Sequence, residues 1–213
     1  MKARNLLVVV TLTIFFSGCV VYSFYPLYTE KDLFENDILL GEWFEDEDAD
    51  ALYNEINDGV SSWKFEHPFI GDKKKGIRDK RSYTLTLVTE EDGKKMESEF
   101  TVHIIKLGGE YFLDFYLEEF MDDDEITLAS FHIIPVHTFA KLKVEENKLI
   151  INWFDQEWLE ELIKENKIRI HHEDNDDFIL LTAKPKELQK FVTKYVNSEE
   201  AFEDGLSVEL YRK

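Results

Sequence analysis

The chain is poor in cysteine, in positive charge and in long apolar runs, and each shortage excludes something. One cysteine, Cys19, in 213 residues leaves no intramolecular disulfide. Lys and Arg number 25 against 45 Asp and Glu, for a formal charge of −20. A surface that acidic argues against nucleic-acid binding and against flat docking on anionic headgroups. No His/Cys spacing matches a zinc site, and neither a Gly-rich phosphate loop nor a Gly-x-Ser-x-Gly elbow is present. No internal repeat and no clear domain boundary interrupts the chain. What is there is apolar material: 44% hydrophobic and 14% aromatic residues, enough to fill a core rather than remain disordered.

The N-terminus has three zones. Lys2 and Arg4 form a basic start, Leu6 to Phe16 an uncharged run, and Phe16-Ser17-Gly18-Cys19 a cleavage site. The run has the length of a secretory signal core and is short of the ~20 residues of a spanning helix. Phe16 to Cys19 resembles a lipobox, with Phe16 where Leu is usual. The resemblance implies removal of residues 1–18, acylation of Cys19 and a mature net charge near −22, since Lys2 and Arg4 leave with the signal. A plain signal peptide with an incidental cysteine is the competing possibility. Residues 19–37 then form the lipidated N-terminus and a tether, and 38–213 a single β-rich domain. The tether is unusually aromatic, with Tyr22, Phe24, Tyr25 and Tyr28 around Pro26, where flexible tethers are Ser/Gly-rich. Part of it is expected to pack on the domain or lie at the membrane interface.

From Ile38 onward, period-2 segments recur. Trp63 and Phe65 share a face, as do Tyr83, Leu85 and Leu87, then Phe100, Val102 and Ile104, then Tyr111, Leu113, Phe115 and Leu117, then Leu149, Ile151 and Trp153. Such alternation fits half-buried antiparallel strands, with turns at Asp92-Gly93, Gly108-Gly109 and Glu145-Glu146-Asn147. Two stretches switch to helical spacing. Gln156 to Asn166 has Asp155 as its N-cap, and Pro185 to Asn197 starts on a favourable proline. Ser207 to Tyr211 returns to the sheet. The expected fold is α+β and mainly β: an antiparallel, barrel-like sheet with two C-terminal helices packed on it.

Gly41-Glu42-Trp43, ahead of a run of strands, resembles the Gly-x-Trp opening of lipocalin-like barrels. That resemblance implies a Trp plugging one barrel end beneath a basic residue near the last strand, for which Arg212 is the candidate. Phe24 to Tyr28, Leu39 to Trp43, Lys106 to Gly109, Phe112 to Asp114, Pro135 to Ala140, Leu181 to Ala183 and Leu188-Gln189 together resemble an uncharacterised family of Gram-negative lipoproteins common in Bacteroidota. The resemblance implies an anchor and a single domain, without an activity. Export to the cell surface in that phylum usually follows charged residues after the cysteine. Val20-Val21-Tyr22-Ser23 has none, so a periplasm-facing outer-membrane position is expected.

Chemistry is sparse. If Gly108-Gly109 is a two-residue turn, His103 faces Asp114 across the strands. An imidazole beside a carboxylate suits acid–base or metal work. A cross-strand charge pair on a solvated face explains it more simply, because the opposite face is the more apolar one. His132 and His137 could add ligands, and His171-His172 point apart. Asp46-x-Asp48-x-Asp50 opens like a calcium loop but has Ala51 and Asn57 where Gly and Glu are needed. No cofactor, metal or catalytic set is therefore expected. The expected function is a non-catalytic binding module for a hydrophobic small molecule or a protein partner, with Trp43, Trp63, Phe65 and Tyr83 as lining residues. The same aromatics would equally fill a closed core. A structural or assembly lipoprotein without a ligand, and a hydrolase or metal-assisted enzyme using His103 and Asp114, are the alternatives.

Overall fold

The computed structural model describes residues 20–45, 62–71, 75–91, 94–119, 134–175 and 178–212. The expected signal segment 1–18, Cys19, the Asp46-Asp48-Asp50 stretch, Asp92-Gly93 and His132 lie outside them. Eleven strands are present among the described residues: β1 (Tyr22–Ser23), β2 (Gly41–Glu45), β3 (Ser62–Glu66), β4 (Tyr83–Glu91), β5 (Lys94–Leu107), β6 (Glu110–Glu119), β7 (His137–Val144), β8 (Lys148–Trp153), β9 (His172–Asp174), β10 (Ile179–Leu181) and β11 (Ser207–Tyr211). Helix α1 (Gln156–Lys164) follows β8, and α2 (Pro185–Tyr195) follows β10.

Strands β2 to β8 pair each with the next in antiparallel fashion, β8 pairs with β11, and β11 returns to β2. The β6–β7 pairing completes the circuit. The result is a closed, eight-stranded, up-and-down barrel with no free sheet edge in its wall. The expected α+β, mainly β architecture is observed. Where β8 stops, the edge of β7 passes to β1, which pairs in parallel with β10, and β10 with β9. The aromatic segment after Cys19 thus stitches a small sheet to the barrel.

Alternation divides the apolar residues into two clusters. Inward-facing Trp43, Trp63, Phe65, Tyr83, Leu85, Val102, Ile104, Leu113, Phe115, Leu142 and Ile151 fill the barrel. Outward-facing Ile105, Phe112 and Phe139 pack under α1 and α2 with Phe154, Trp158, Leu162, Leu188, Phe191 and Val192. The caps follow the sequence: Asp155 Oδ1 accepts from the Glu157 amide at 2.8 Å, and Pro185 opens α2. Lys141 Nζ donates to the Val196 carbonyl at 2.9 Å, a cation placed at the negative end of α2. Gly108 and Gly109, at φ 61° and 94°, form the β5–β6 turn. Positive φ at both positions is what a hairpin of matching twist requires. A Cβ on Gly108 would also stand 3.0 Å from Val196 Cγ1, so the turn is fitted against the end of α2.

Candidate functional site

The two-residue turn sets the β5–β6 register, and His103 does face Asp114. The chemistry differs from a solvated charge pair. Asp114 is 0% exposed. Oδ1 accepts from His137 Nδ1 at 2.7 Å, and Oδ2 from the backbone amide of Leu27 at 2.7 Å. The correction has a simple cause. The outer face of β5–β6 is covered by the N-terminal segment, with Leu27 on Asp114 and Tyr28 on His103. Covering that face removes the water on which a surface pair would depend.

The segment is held at several points. Phe24 donates its amide to the Leu181 carbonyl at 2.8 Å. Tyr28 lies over the His103 ring at 4.2 Å between centroids. Gln189, on α2, donates to the Leu27 carbonyl at 3.0 Å and to Asp32 Oδ2 at 2.8 Å. Asp32 also accepts from the Thr29 amide and hydroxyl, both at 2.7 Å. Burial works to raise the Asp32 pKa, but these Thr29 and Gln189 donors prevail and hold it below the usual carboxylate value.

Burial sets the other protonation states. It pushes the Asp114 carboxyl above its ordinary pKa, opposed by the hydrogen bonds from His137 and Leu27. It drives His103 down to about 4, helped by the charges of His137 and Arg81 and opposed by Asp79. Tyr28 is pushed up to about 12 by burial and by the nearby Asp114 charge. His137 is oriented through Nδ1 by a buried carboxylate, its ring 4.7 Å from that of Tyr116, and is 12% exposed. An imidazole so oriented can act as a base when a substrate or nucleophile is placed at its other nitrogen. Here both carboxylate oxygens are already engaged, one of them by the chain's own backbone. Among the described residues, no group of three His, Cys, Asp or Glu stands close enough to hold a metal ion.

The four aromatic candidates lie together inside the barrel and are all buried. Trp63 and Phe65 rings are 6.4 Å apart, and Phe65 meets Tyr83 edge-on at 6.3 Å. Trp43 Nε1 donates to the Leu39 carbonyl at 2.7 Å, and the Tyr83 hydroxyl to the Asn36 carbonyl at 2.8 Å. Arg212 places its guanidinium 4.3 Å from the Trp43 ring and donates to the Leu40 carbonyl at 2.8 Å. Trp43 is thus buried in the barrel cluster with the Arg212 guanidinium over its ring. Phe65 also borders an open groove of ≈ 370 Å³ with Leu40, Gly41, Glu42, Lys64, Glu66, His67 and Arg78. His67 there is buried, with Nδ1 at 2.9 Å from the Ser82 carbonyl and Nε2 at 2.9 Å from Asp37. His171 bonds Glu187 at the start of α2, whereas Nδ1 of His172 lies 2.8 Å from the Ile170 carbonyl.

Sequence pattern missed His137 as the partner of Asp114, and Leu27 and Gln189 as clamps. Residues 120–136 separate β6 from β7, too many for a turn rule to fix their register. The only signal was the aromatic composition of the tether. No helix among the described residues is long and apolar enough to cross a membrane. No family model, no curated protein and no solved structure matches this chain.

Proposed function

We propose that the protein is a lipid-anchored component of the cell envelope, held by acyl chains on Cys19 at the periplasmic face of the outer membrane, and that its barrel is a non-catalytic binding module. The observation that carries this reading is the attachment of residues 20–33 to the barrel wall by Asp114, Gln189 and β1 pairing. A segment that follows an acylated cysteine and is packed from its second residue onward holds the domain close to the bilayer instead of letting it roam. Two or more acyl chains anchor firmly, at about 0.8 kcal/mol per buried methylene.

A protein partner suits the module better than a hydrophobic small molecule, because Trp43, Trp63, Phe65 and Tyr83 already fill the barrel with one another. The open groove beside His67 and Arg78 is the concave surface that such a partner could use. The hydrolase alternative is weakened by the engagement of both Asp114 oxygens and by the cover of Tyr28 over His103.

Native mass spectrometry after mild extraction from the membrane tests the reading. An acyl mass on Cys19 with a stoichiometric polypeptide supports it. A small molecule bound one-to-one would return the ligand to the barrel or groove. Cys19→Ser should move the protein to the soluble fraction or leave it uncleaved, and acyl labelling of that variant would refute the anchor.

A further inference from the structure

The connection from β3 to β4 folds back on itself as a narrow hairpin. Phe69 pairs with Arg78, the Ile70 amide donates to the Ile77 carbonyl at 2.8 Å, and the Asp79 amide to the Pro68 carbonyl at 2.9 Å. That register sets Ile70 directly opposite Ile77, with both side chains on one face. Neither is covered: they are 53% and 56% exposed. A Cβ added to Gly71 or Gly76 would meet nothing within 4 Å, so open space surrounds the next residues as well. Successive residues of a ribbon alternate faces, which turns the two isoleucines away from the groove that Arg78 lines. Six of the chain's 25 Lys and Arg fall within the nine residues 73–81, against one acidic residue, Asp79. Those at the root of the hairpin are engaged. Arg78 lies over the Phe69 ring and donates to the His67 carbonyl, Lys80 pairs with Asp37, and Arg81 with Asp79 and Glu30. Lys75, two residues before Ile77, is exposed and has no ion-pair partner among the described residues.

We propose that this hairpin is a membrane-contacting finger, with Ile70 and Ile77 entering the headgroup layer of an anionic bilayer and Lys75 meeting lipid phosphates. The inference rests on the lipid anchor proposed above. Strand order places finger and anchor toward the same end of the barrel. β3 and β7 run in the same direction, so the hairpin leaves the rim at which β7 ends. Pairing of Ser23 with His137 and of Tyr22 with Thr138 leads the chain from residue 23 back to residue 20 toward that rim. Apolar side chains at headgroup depth gain from partial burial, and cations gain from the negative surface potential of anionic lipid. Nucleic acid would meet the cation but leave both isoleucines in water. The acidic body of the chain opposes flat docking on such a surface, but that repulsion is screened beyond ~8–10 Å at physiological salt. At ~3.3 Å per residue Gly71 stands roughly 10 Å past Pro68, so contact through the hairpin's end keeps the acidic wall about one screening length away.

Acylation of the sole cysteine leaves any introduced thiol as the only one to label. The full chain, acylated in a Gram-negative host and checked by mass, is placed in mixed phosphatidylcholine–phosphatidylglycerol vesicles. An apolar fluorophore is carried on Ile77→Cys or, before β11 at the opposite rim, on Leu206→Cys. Spin-labelled phosphatidylcholine should quench the residue-77 label several-fold more than the residue-206 label. Adding Ile70→Ser and Lys75→Glu should bring the two toward equality without changing the acyl mass. Equal quenching in the acylated chain that lacks those two changes would overturn the hairpin contact alone. Absence of the acyl mass would overturn the anchor and the contact with it. An equally strong contrast on pure phosphatidylcholine vesicles would overturn the anionic assignment.

Discussion

Leu113 and Asp114 are neighbours on β6, and both are completely buried. They are buried by different means. Leu113 points into the barrel, where Ile104, Phe115 and Ala140 surround it with apolar atoms supplied by the same closed sheet. Asp114 points outward and is buried only because a distant segment lies across it and gives it a backbone amide. The interior is thus held by close packing among sheet residues, whereas the covered wall is held by polar pins that need residues 20–33. Packing tolerates approximate partners of the right volume, but a buried carboxylate tolerates no missing donor. Residues 20–33 are consequently part of the folded unit.

The largest effect should come from the interior. Trp43→Ala removes the buried ring, the Nε1 bond to Leu39 and the surface on which Arg212 rests, and should cost about 3–5 kcal/mol in urea unfolding. Tryptic cleavage after the exposed Lys31 should stay slow in that variant when measured under folding conditions. Asp114→Ala should cost about 3 kcal/mol, because it leaves the Leu27 amide and His137 without their acceptor. It should also speed cleavage at Lys31, whereas Leu113→Ala should destabilise without doing so. Equal cleavage in the two variants would erase the distinction between the regions.

His103 and Asp114 give the covered wall opposite pH slopes. As pH falls from 6.5 toward about 4, the unfolded chain protonates residue 103 before the folded chain does, so stability declines through that window. Asp114, whose folded pKa is raised, acts the other way: the folded chain holds its proton longer, and stability falls as pH rises above the ordinary carboxylate value. His103→Phe keeps a ring under Tyr28 and should flatten the loss below pH 6.5 in denaturant titrations. An unchanged profile would show that His103 titrates as freely folded as unfolded. The smallest effect is expected for Arg212→Ala, about 0.5–1 kcal/mol for a cation over an aromatic face at a partly open site. A much larger loss would mean that the clamp on Trp43 does more than cover it.

The elements that sequence determined are those with local causes. Alternation at Tyr83-Leu85 and Tyr111-Leu113-Phe115 gave strands and their inward faces, because the side-chain period of two is a property of extended backbone. Gly108-Gly109 gave the register from Phe100–Leu117 to Leu107–Glu110, because a two-residue turn leaves no freedom in pairing. Asp155 and Pro185 gave the starts of α1 and α2. The contact of Arg212 with Trp43 has no local cause, since it joins the first and last strands of the barrel. Tertiary structure alone decided that the outer face of β6 is covered as well as the inner one. The alternation of Phe112, Asp114 and Tyr116 against Leu113 and Phe115 could name the more apolar face. It could not announce that Leu27, 87 residues away, would cover the other. It equally could not bring His137 to Asp114, since that contact depends on closing the barrel across a long connection, and loop closure leaves no local mark on the residues it joins.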